Sequence, residues 1–185
     1  MIVTISGRPG SGKSVVASKV ADALGLRHVS AGDFMRQMAE ERGVSILELS
    51  RLAEEDPAID AEIDGRTMLL AASADDFVLD ARLGWHFVPW SFKVFLEVSP
   101  QVAAERIFRA RRDTEQENVD LETTMRAVEH RARSEAQRYK EYYGLDYTDQ
   151  SHYDLVVNTS ALNIEQVVAR VLAGYREETG VETAP

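Results

Sequence analysis

Eight residues near the start of the chain, Gly7-Arg8-Pro9-Gly10-Ser11-Gly12-Lys13-Ser14, carry the pattern Gly-x-x-x-x-Gly-Lys-Ser. The chemistry open to that string is the holding of a polyphosphate. Glycines let successive backbone N–H groups turn inward around phosphate oxygens where a Cβ would clash. Lys13 supplies a mobile point charge for the terminal phosphates, and the Ser14 hydroxyl can join the shell of a magnesium ion that keeps most of its waters. The string follows an apolar run, Ile2-Val3-Thr4-Ile5, and opens an amphipathic segment. A helix N-terminus would therefore add its dipole and unpaired N–H groups to the same anion. The competing reading is a glycine-rich strand-to-helix turn without a ligand, but the full string arises by chance in well under ~1% of chains this long.

Charges elsewhere can complete a phosphoryl-transfer site around such a loop. Asp80 closes the run Phe77-Val-Leu-Asp80, where it can hold a magnesium-bound water or orient an acceptor phosphate, and Arg82 follows it into the same crevice. A turn carboxylate capping its own loop is the plainer alternative. Ser30, Asp33 and Arg36 open a segment on the same side, and the planar fork of Arg36 suits an acceptor phosphate. Ser30 or Asp33 can equally be an N-cap without a ligand. Arg106, Arg109, Arg111 and Arg112 crowd one stretch, and Arg131, Arg133 and Arg138 another, with the acidic segment 113–119 between them. Arg131 and Arg138 stand two helical turns apart on one face. Arginines on both sides of a mobile loop can neutralise a transferring phosphoryl group and exclude water when the loop closes. Surface pairing with Glu105, Glu129 and Glu135 explains any one of them without chemistry. The aromatic residues Trp85, Phe87 and Trp90 beside Arg82 can stack a base or pad a sheet edge. His28, His86, His130 and His152 have no spacing suited to metal ligation and read as structural.

The elements that must position these groups follow from periodicity. Val16, Val20 and Ala23-Leu24 recur at helical spacing and Gly25 supplies a left-handed stop, which predicts a helix over 13–24. Short apolar runs predict strands at 26–29, 77–80, 92–98 and 153–157. Ser45-Ile-Leu-Glu48 reads as a capping box and Asp56-Pro57 as an N-cap with proline at the first helical position, so residues 30–72 form a run of helices. Apolar positions at Leu121, Met125, Val128, Ala132, Ala136, Tyr139 and Tyr143 predict a long helix from Asp120 to Tyr143, stopped by Gly144. Asn163 caps a last helix, and residues 179–185 read as a frayed tail. Strands alternating with helices give an α/β fold: a doubly wound parallel sheet of about five strands, with ligands at the carboxyl ends of its strands.

At 185 residues the chain suits one buried core rather than two. Lys and Arg number 21 against 31 Asp and Glu, a net charge of −10 that repels nucleic acid and anionic membrane, so neither is expected as a partner. The absence of cysteine excludes disulfides and thiol catalysis. No apolar run approaches the length of a membrane span and no leader precedes the first strand, so a cytoplasmic protein is expected. A monomer is the default for this size.

These residues resemble the nucleoside monophosphate kinases, and among them the short archaeal-type cytidylate kinases. The resemblance rests on Thr4 through Ser14, Leu26 to Arg36 ending Ser-Ala-Gly-Asp-Phe-Met-Arg, Leu52-Ala-Glu-Glu-Asp-Pro57 through Ile63-Asp64, Asp80-Ala-Arg82, Ala104-Glu-Arg106-Ile, Ser134-Glu-Ala-Gln-Arg138-Tyr139, Tyr143-Gly-Leu-Asp146 and Tyr153 through Ser160. It covers nearly the whole chain in order. It implies a single domain with a core at 1–29, 73–112 and 144–179, acceptor-binding helices at 30–72, and a lid loop at about 113–119 within helices spanning 99–143. It also implies reversible phosphoryl transfer from ATP to CMP or dCMP with magnesium. Gly7 through Ser14 with Val15 would bind ATP phosphates, and Asn158-Thr159-Ser160 would lie near the adenine. Ser30, Asp33, Arg36, Asp80 and Arg82 would serve the acceptor, Ser14 and Asp80 the metal, and Lys13, Arg106, Arg109, Arg131 and Arg138 catalysis. The insert and the Arg-Asp lid pattern of bacterial cytidylate kinases are not apparent, and alanine stands where their Asp-Gly-Arg has glycine. Two other readings share the phosphate-handling residues: a kinase for AMP, UMP or a non-nucleotide acceptor, and an ATP-binding regulatory module without turnover.

Overall fold

Five residues of the first strand, β1 (Ile2–Gly7), are buried in succession from Val3 onward, as the near-continuous apolar run requires. In the computed structural model, which describes residues 1–73, 76–110 and 120–180, this strand lies at the centre of a parallel sheet. Its companions are β2 (Arg27–Ser30), β3 (Phe77–Asp80), β4 (Phe92–Glu97) and β5 (Leu155–Asn158), in the order β2-β3-β1-β4-β5. Burial on both faces is what permits parallel strands with no polar alternation, and all four residues of β3 are buried. The register sets Asp80 beside Ile5 on one side and Ser30 on the other, and Leu96 beside Gly7. The carboxyl ends of the strands thus meet where the strand order reverses around β1, the position at which such sheets take ligands.

Helices cover both faces. On one side α1 (Lys13–Leu24) and α8 (Ile164–Thr179) bury Val16, Val20, Val167 and Val171 against Val3, Ile5 and Val94. On the other, the short α5 (Gly84–Phe87) and the long α7 (Leu121–Tyr143) enclose Phe95, Trp85 and Tyr147. Helix α6 (Pro100–Ala110) joins α7 through Ala103, Val128 and Ile107. Between β2 and β3, α2 (Ala31–Glu41), α3 (Ile46–Glu55) and α4 (Pro57–Ser73) pack around a separate cluster of Met38, Leu49, Ala53 and Ile59.

Local sequence accounts for most of the boundaries. Gly25 and Gly144, both left-handed, close α1 and α7; Asp120 caps α7; and Asn163 with Gln166 forms a complete capping box on α8. The box expected at Ser45 is present in its forward half, Ser45 Oγ accepting from the Glu48 N–H. Three expectations are corrected. The last strand begins at Leu155, not Tyr153, because Tyr153 turns inward against Phe95 and donates its hydroxyl to the Tyr147 carbonyl at 2.6 Å. Leu121, assigned to the apolar stripe, is 42% exposed in the first turn of α7. Trp90 leaves the aromatic cluster and is 67% exposed, while Trp85 is buried in a stack with His152 at 4.1 Å. The expected lid loop at 113–119 and the last residues of the tail, with Arg111 and Arg112, lie outside the described residues. Among the described residues no helix is long and apolar enough to cross a membrane.

Candidate active site

The loop from Gly7 to Ser14 is shaped by close contacts that side chains would prevent. Arg8 donates its N–H to the Leu96 carbonyl at 3.2 Å, and Ser11 donates to the Arg8 carbonyl at 3.1 Å. Gly10 has φ +76°, and a Cβ there would lie 2.7–2.8 Å from the Cβ, Cα and carbonyl oxygen of Ala103 on α6. Backbone atoms cannot step aside as a flexible side chain does. Gly10→Ala is therefore expected to displace the loop and weaken ATP binding by about 5–150-fold, from strain of roughly 1–3 kcal/mol at a disfavoured φ; titration calorimetry with ATP would check it, and unaltered affinity would contradict it. Gly12, also left-handed, is the N-cap of α1 and makes no side-chain cap to its first N–H groups. The Arg8 guanidinium turns away toward β4 and meets Glu97 at 2.6 Å.

Beneath the loop, the Lys13 ammonium forms an ion pair with Asp80, whose side chain is 1% exposed. The Ser30 hydroxyl reaches the other oxygen of Asp80 at 3.3 Å. Ser30 thus spends its hydroxyl on the carboxylate rather than capping α2. Burial pushes Lys13 below the usual ammonium range although Asp80 opposes the change. At Asp80 burial acts upward, but Lys13, the nearby Ser14 hydroxyl and Arg82 outweigh it and hold the carboxyl low. Ser14 and Asp80 thus supply two hard oxygens beside the lysine, a donor pair that fits a magnesium ion keeping its remaining waters.

A second charged group faces this one. Arg82, with its side chain 11% exposed, gives Nε to Glu135 at 2.7 Å and lies over the Tyr147 ring at 5.8 Å. The other Glu135 oxygen accepts from Arg131 Nε at 2.9 Å. Burial opposes ionisation of Glu135, but Arg82 and Arg131 prevail and hold its carboxyl down at about 2. Arg138 pairs with Asp60 of α4 at 2.9 Å, both side chains under 9% exposed. Asp60 and Glu135 escape sequence reasoning: the spacing from Arg131 to Glu135 is visible, but nothing in the chain announces Arg82, 53 positions away.

The remaining expected residues fall into three places. Arg36 and Asp33 pair with one another and, with Ser14, Val15, Lys19 and Ser30, line a groove of about 400 Å³ between α1 and α2. Arg106 donates to Thr159 Oγ1 at 2.9 Å and to the Thr159 carbonyl at 2.6 Å, while Thr159 reaches the Ser11 carbonyl at 3.3 Å. It is thereby fixed to the loop after β5, where Asn158 Oδ1 accepts the Ser160 N–H at 3.0 Å. Arg109 is not brought to either group; its side chain is 80% exposed and pairs with Glu105.

A family model described as cytidylate kinase-like matches residues 2–161. The chain belongs to the cytidylate kinase-like family. It is 44% identical over 165 residues to a cytidylate kinase of Methanothermobacter thermautotrophicus, covering 89% of this chain and 99% of that one. It is 43% identical over 173 residues to a cytidylate kinase of Natronomonas pharaonis, covering 92% of this chain and 87% of the relative. Among solved structures, shikimate kinase from Bacteroides thetaiotaomicron superposes with a TM-score of 0.63 over 98% of this chain and 99% of that one. At 16% identity this likeness concerns the fold alone. Membership of the family brings the sheet, the phosphate loop and the arginine groups into one frame: the loop lies above the β1 carboxyl end, and Arg82 follows the strand beside it.

Proposed function

We propose that the chain transfers the γ-phosphate of ATP reversibly to CMP or dCMP, giving ADP and CDP or dCDP. The observation that carries this reading is a buried, fixed arginine two residues after Asp80: Arg82, held by Glu135 at 2.7 Å, follows directly on the carboxylate that pairs with Lys13. A nucleotide held only as a structural ligand needs no cation set facing its terminal phosphate. On the donor side, the N–H groups of residues 7–14 and the start of α1 take the β- and γ-phosphates, with Lys13 moving from Asp80 to the phosphate oxygens. Arg106 acts from the adenine side, steadying Thr159 and Asn158. Ser14 and Asp80 would hold magnesium, which would supply charge neutralisation for the β- and γ-phosphate oxygens.

On the acceptor side, Ser30, Asp33, Arg36 and Arg82 orient CMP so that a phosphate oxygen faces the γ-phosphorus. That oxygen forms the new P–O bond as the bond to ADP breaks, and the chain's task is positioning and charge neutralisation. Arg131 presents its outer nitrogens, and Arg138 its Nη2, to the equatorial oxygens. All these residues come from one chain, so the reading needs no second subunit, and a cytoplasmic location accords with ATP as co-substrate.

A coupled ADP-release assay across CMP, dCMP, UMP, AMP and a control without acceptor tests the assignment. The expected result is turnover with CMP or dCMP exceeding that with AMP by at least about a hundredfold, the margin a site with matched polar groups achieves against a mismatched base. Turnover with AMP or UMP instead would give a different acceptor, and silence throughout would leave an ATP-binding module.

A further inference from the structure

Three arginines of the site are held in the same manner. Arg82 and Arg131 each give Nε to one oxygen of Glu135, and Arg138 gives Nε to Asp60. Arg138 also donates Nη1 to Ser134 Oγ at 2.7 Å, which leaves its Nη2 without a protein acceptor among the described residues. A guanidinium fixed at Nε loses the rotations that make a free arginine costly to order, and its outer nitrogens lie in a set plane. Asp60 does this from α4, in the acceptor-side helices, whereas Arg138 stands on α7 at a separation of 78 residues. Asp60 lies in the stretch from Leu52 to Asp64 on which the family resemblance partly rests, and no phosphate-handling role so far accounts for it.

Stability is a poor reason for this pair. A buried ion pair roughly breaks even against well-packed apolar residues of similar volume. Burial pushes the Asp60 carboxyl upward despite Arg138 alongside, and Glu135 adds to the cost. One turn further along α4, burial raises Asp64 to about 6, its carboxylate accepting the Tyr143 hydroxyl. Packing alone would not set Asp60 beside both Asp64 and the Glu135 of α7. Each of them has a donor on α7, and the donor of Asp60 is an arginine with one free end.

We infer that Asp60 is a positioning residue for phosphoryl transfer, holding Arg138 by Nε from α4 so that its free Nη2 meets a phosphate oxygen of the reacting nucleotides. This rests on the proposal that Arg138 serves phosphate. Asp60 touches no substrate and acts only through Arg138.

A double-mutant cycle read by steady-state kinetics with ATP and CMP tests it. Asp60→Asn keeps the shape, removes the charge, and is expected to lower kcat by on the order of 10–100-fold, the cost of an angstrom-scale misplacement, with KM for ATP held within about twofold. Arg138→Ala is expected to lower kcat at least as far. Adding Asp60→Asn to it should then cost less than about a further twofold, because the partner is already gone. Asp60→Glu keeps the charge on a longer arm and serves where the Asn variant does not fold; its expected kcat lies between that of Asp60→Asn and the parent. The inference is overturned if Asp60→Asn turns over normally, or if it costs as much in the Arg138→Ala background as in the parent. Full activity of Arg138→Ala overturns it as well and removes Arg138 from the phosphate site, which an additive result does not.

Discussion

Lys13→Ala is expected to lower kcat/KM for phosphoryl transfer by on the order of 10²–10³-fold, the loss that follows removal of one preorganised charge at a transferring group. Sequence alone gives this lysine a single duty toward phosphate. The structure gives it a second one, as countercharge to Asp80, a carboxylate 1% exposed. Removing one partner of such a pair leaves the other buried and unpaired, at a cost on the order of 3 kcal/mol. The pH dependence has a definite sign. In the parent the folded Asp80 carboxyl is lower than its unfolded value of 3.8, so it contributes stability above that pH and loses it as pH falls through the folded value. Without Lys13 that contribution is gone, and burial dominates. The difference in melting temperature between parent and variant is therefore expected to be large at pH 7 and to close below about pH 4. Adding Asp80→Asn should return stability without returning turnover. Equal destabilisation at both pH values would remove the pairing from the account, and normal turnover in Lys13→Ala would sink the loop's catalytic role.

Arg82→Ala is expected to raise KM for CMP by about 10–100-fold, the worth of a charge-assisted hydrogen bond, with KM for ATP nearly unchanged. It also carries a stability cost on the order of 2–3 kcal/mol, less than for an isolated buried pair because Arg131 still faces Glu135. Kinetics must therefore be measured well below the variant's melting temperature. Arg82→Lys separates the contributions: it keeps a charge beside Glu135 but loses the planar fork that can bond Glu135 and a phosphate together. Partial recovery of stability with a KM still raised is the expected pattern. Equal losses for both substrates would move Arg82 out of the acceptor site.

Continuous stretches of chain were the most readable. The phosphate loop declares itself because all its parts lie within eight residues, and the strand before it and the helix after it follow from apolar spacing. Helix ends at Gly25, Asp120, Gly144 and Asn163 were legible for the same reason, since a cap is made by residues a few positions apart. The strand at Leu155 was misplaced by two residues because Tyr153 and Leu155 are both good strand formers; which one pairs depends on Tyr153 finding Tyr147 and Phe95. Trp90 looked like a partner of Trp85 by proximity in sequence, yet only Trp85 had His152 to stack on.

On α7 the limit is sharpest. Its apolar stripe at Val128, Ala132, Ala136 and Tyr139 is evident, and Arg131 and Arg138 beside it read as candidates for phosphate, with surface pairing to Glu135 as the alternative. Glu135 and Arg138 are in fact buried, because α4 and the segment after β3 bring Asp60 and Arg82 against that face. The sequence by itself determined the phosphate loop, the alternating elements and the family, since these depend on contiguous residues and their periods. Only the tertiary structure decided which charges are buried, which carboxylate holds which arginine, and that Lys13 neutralises Asp80. A charge's environment is set by groups that approach from distant parts of the chain, and local spacing carries no trace of them.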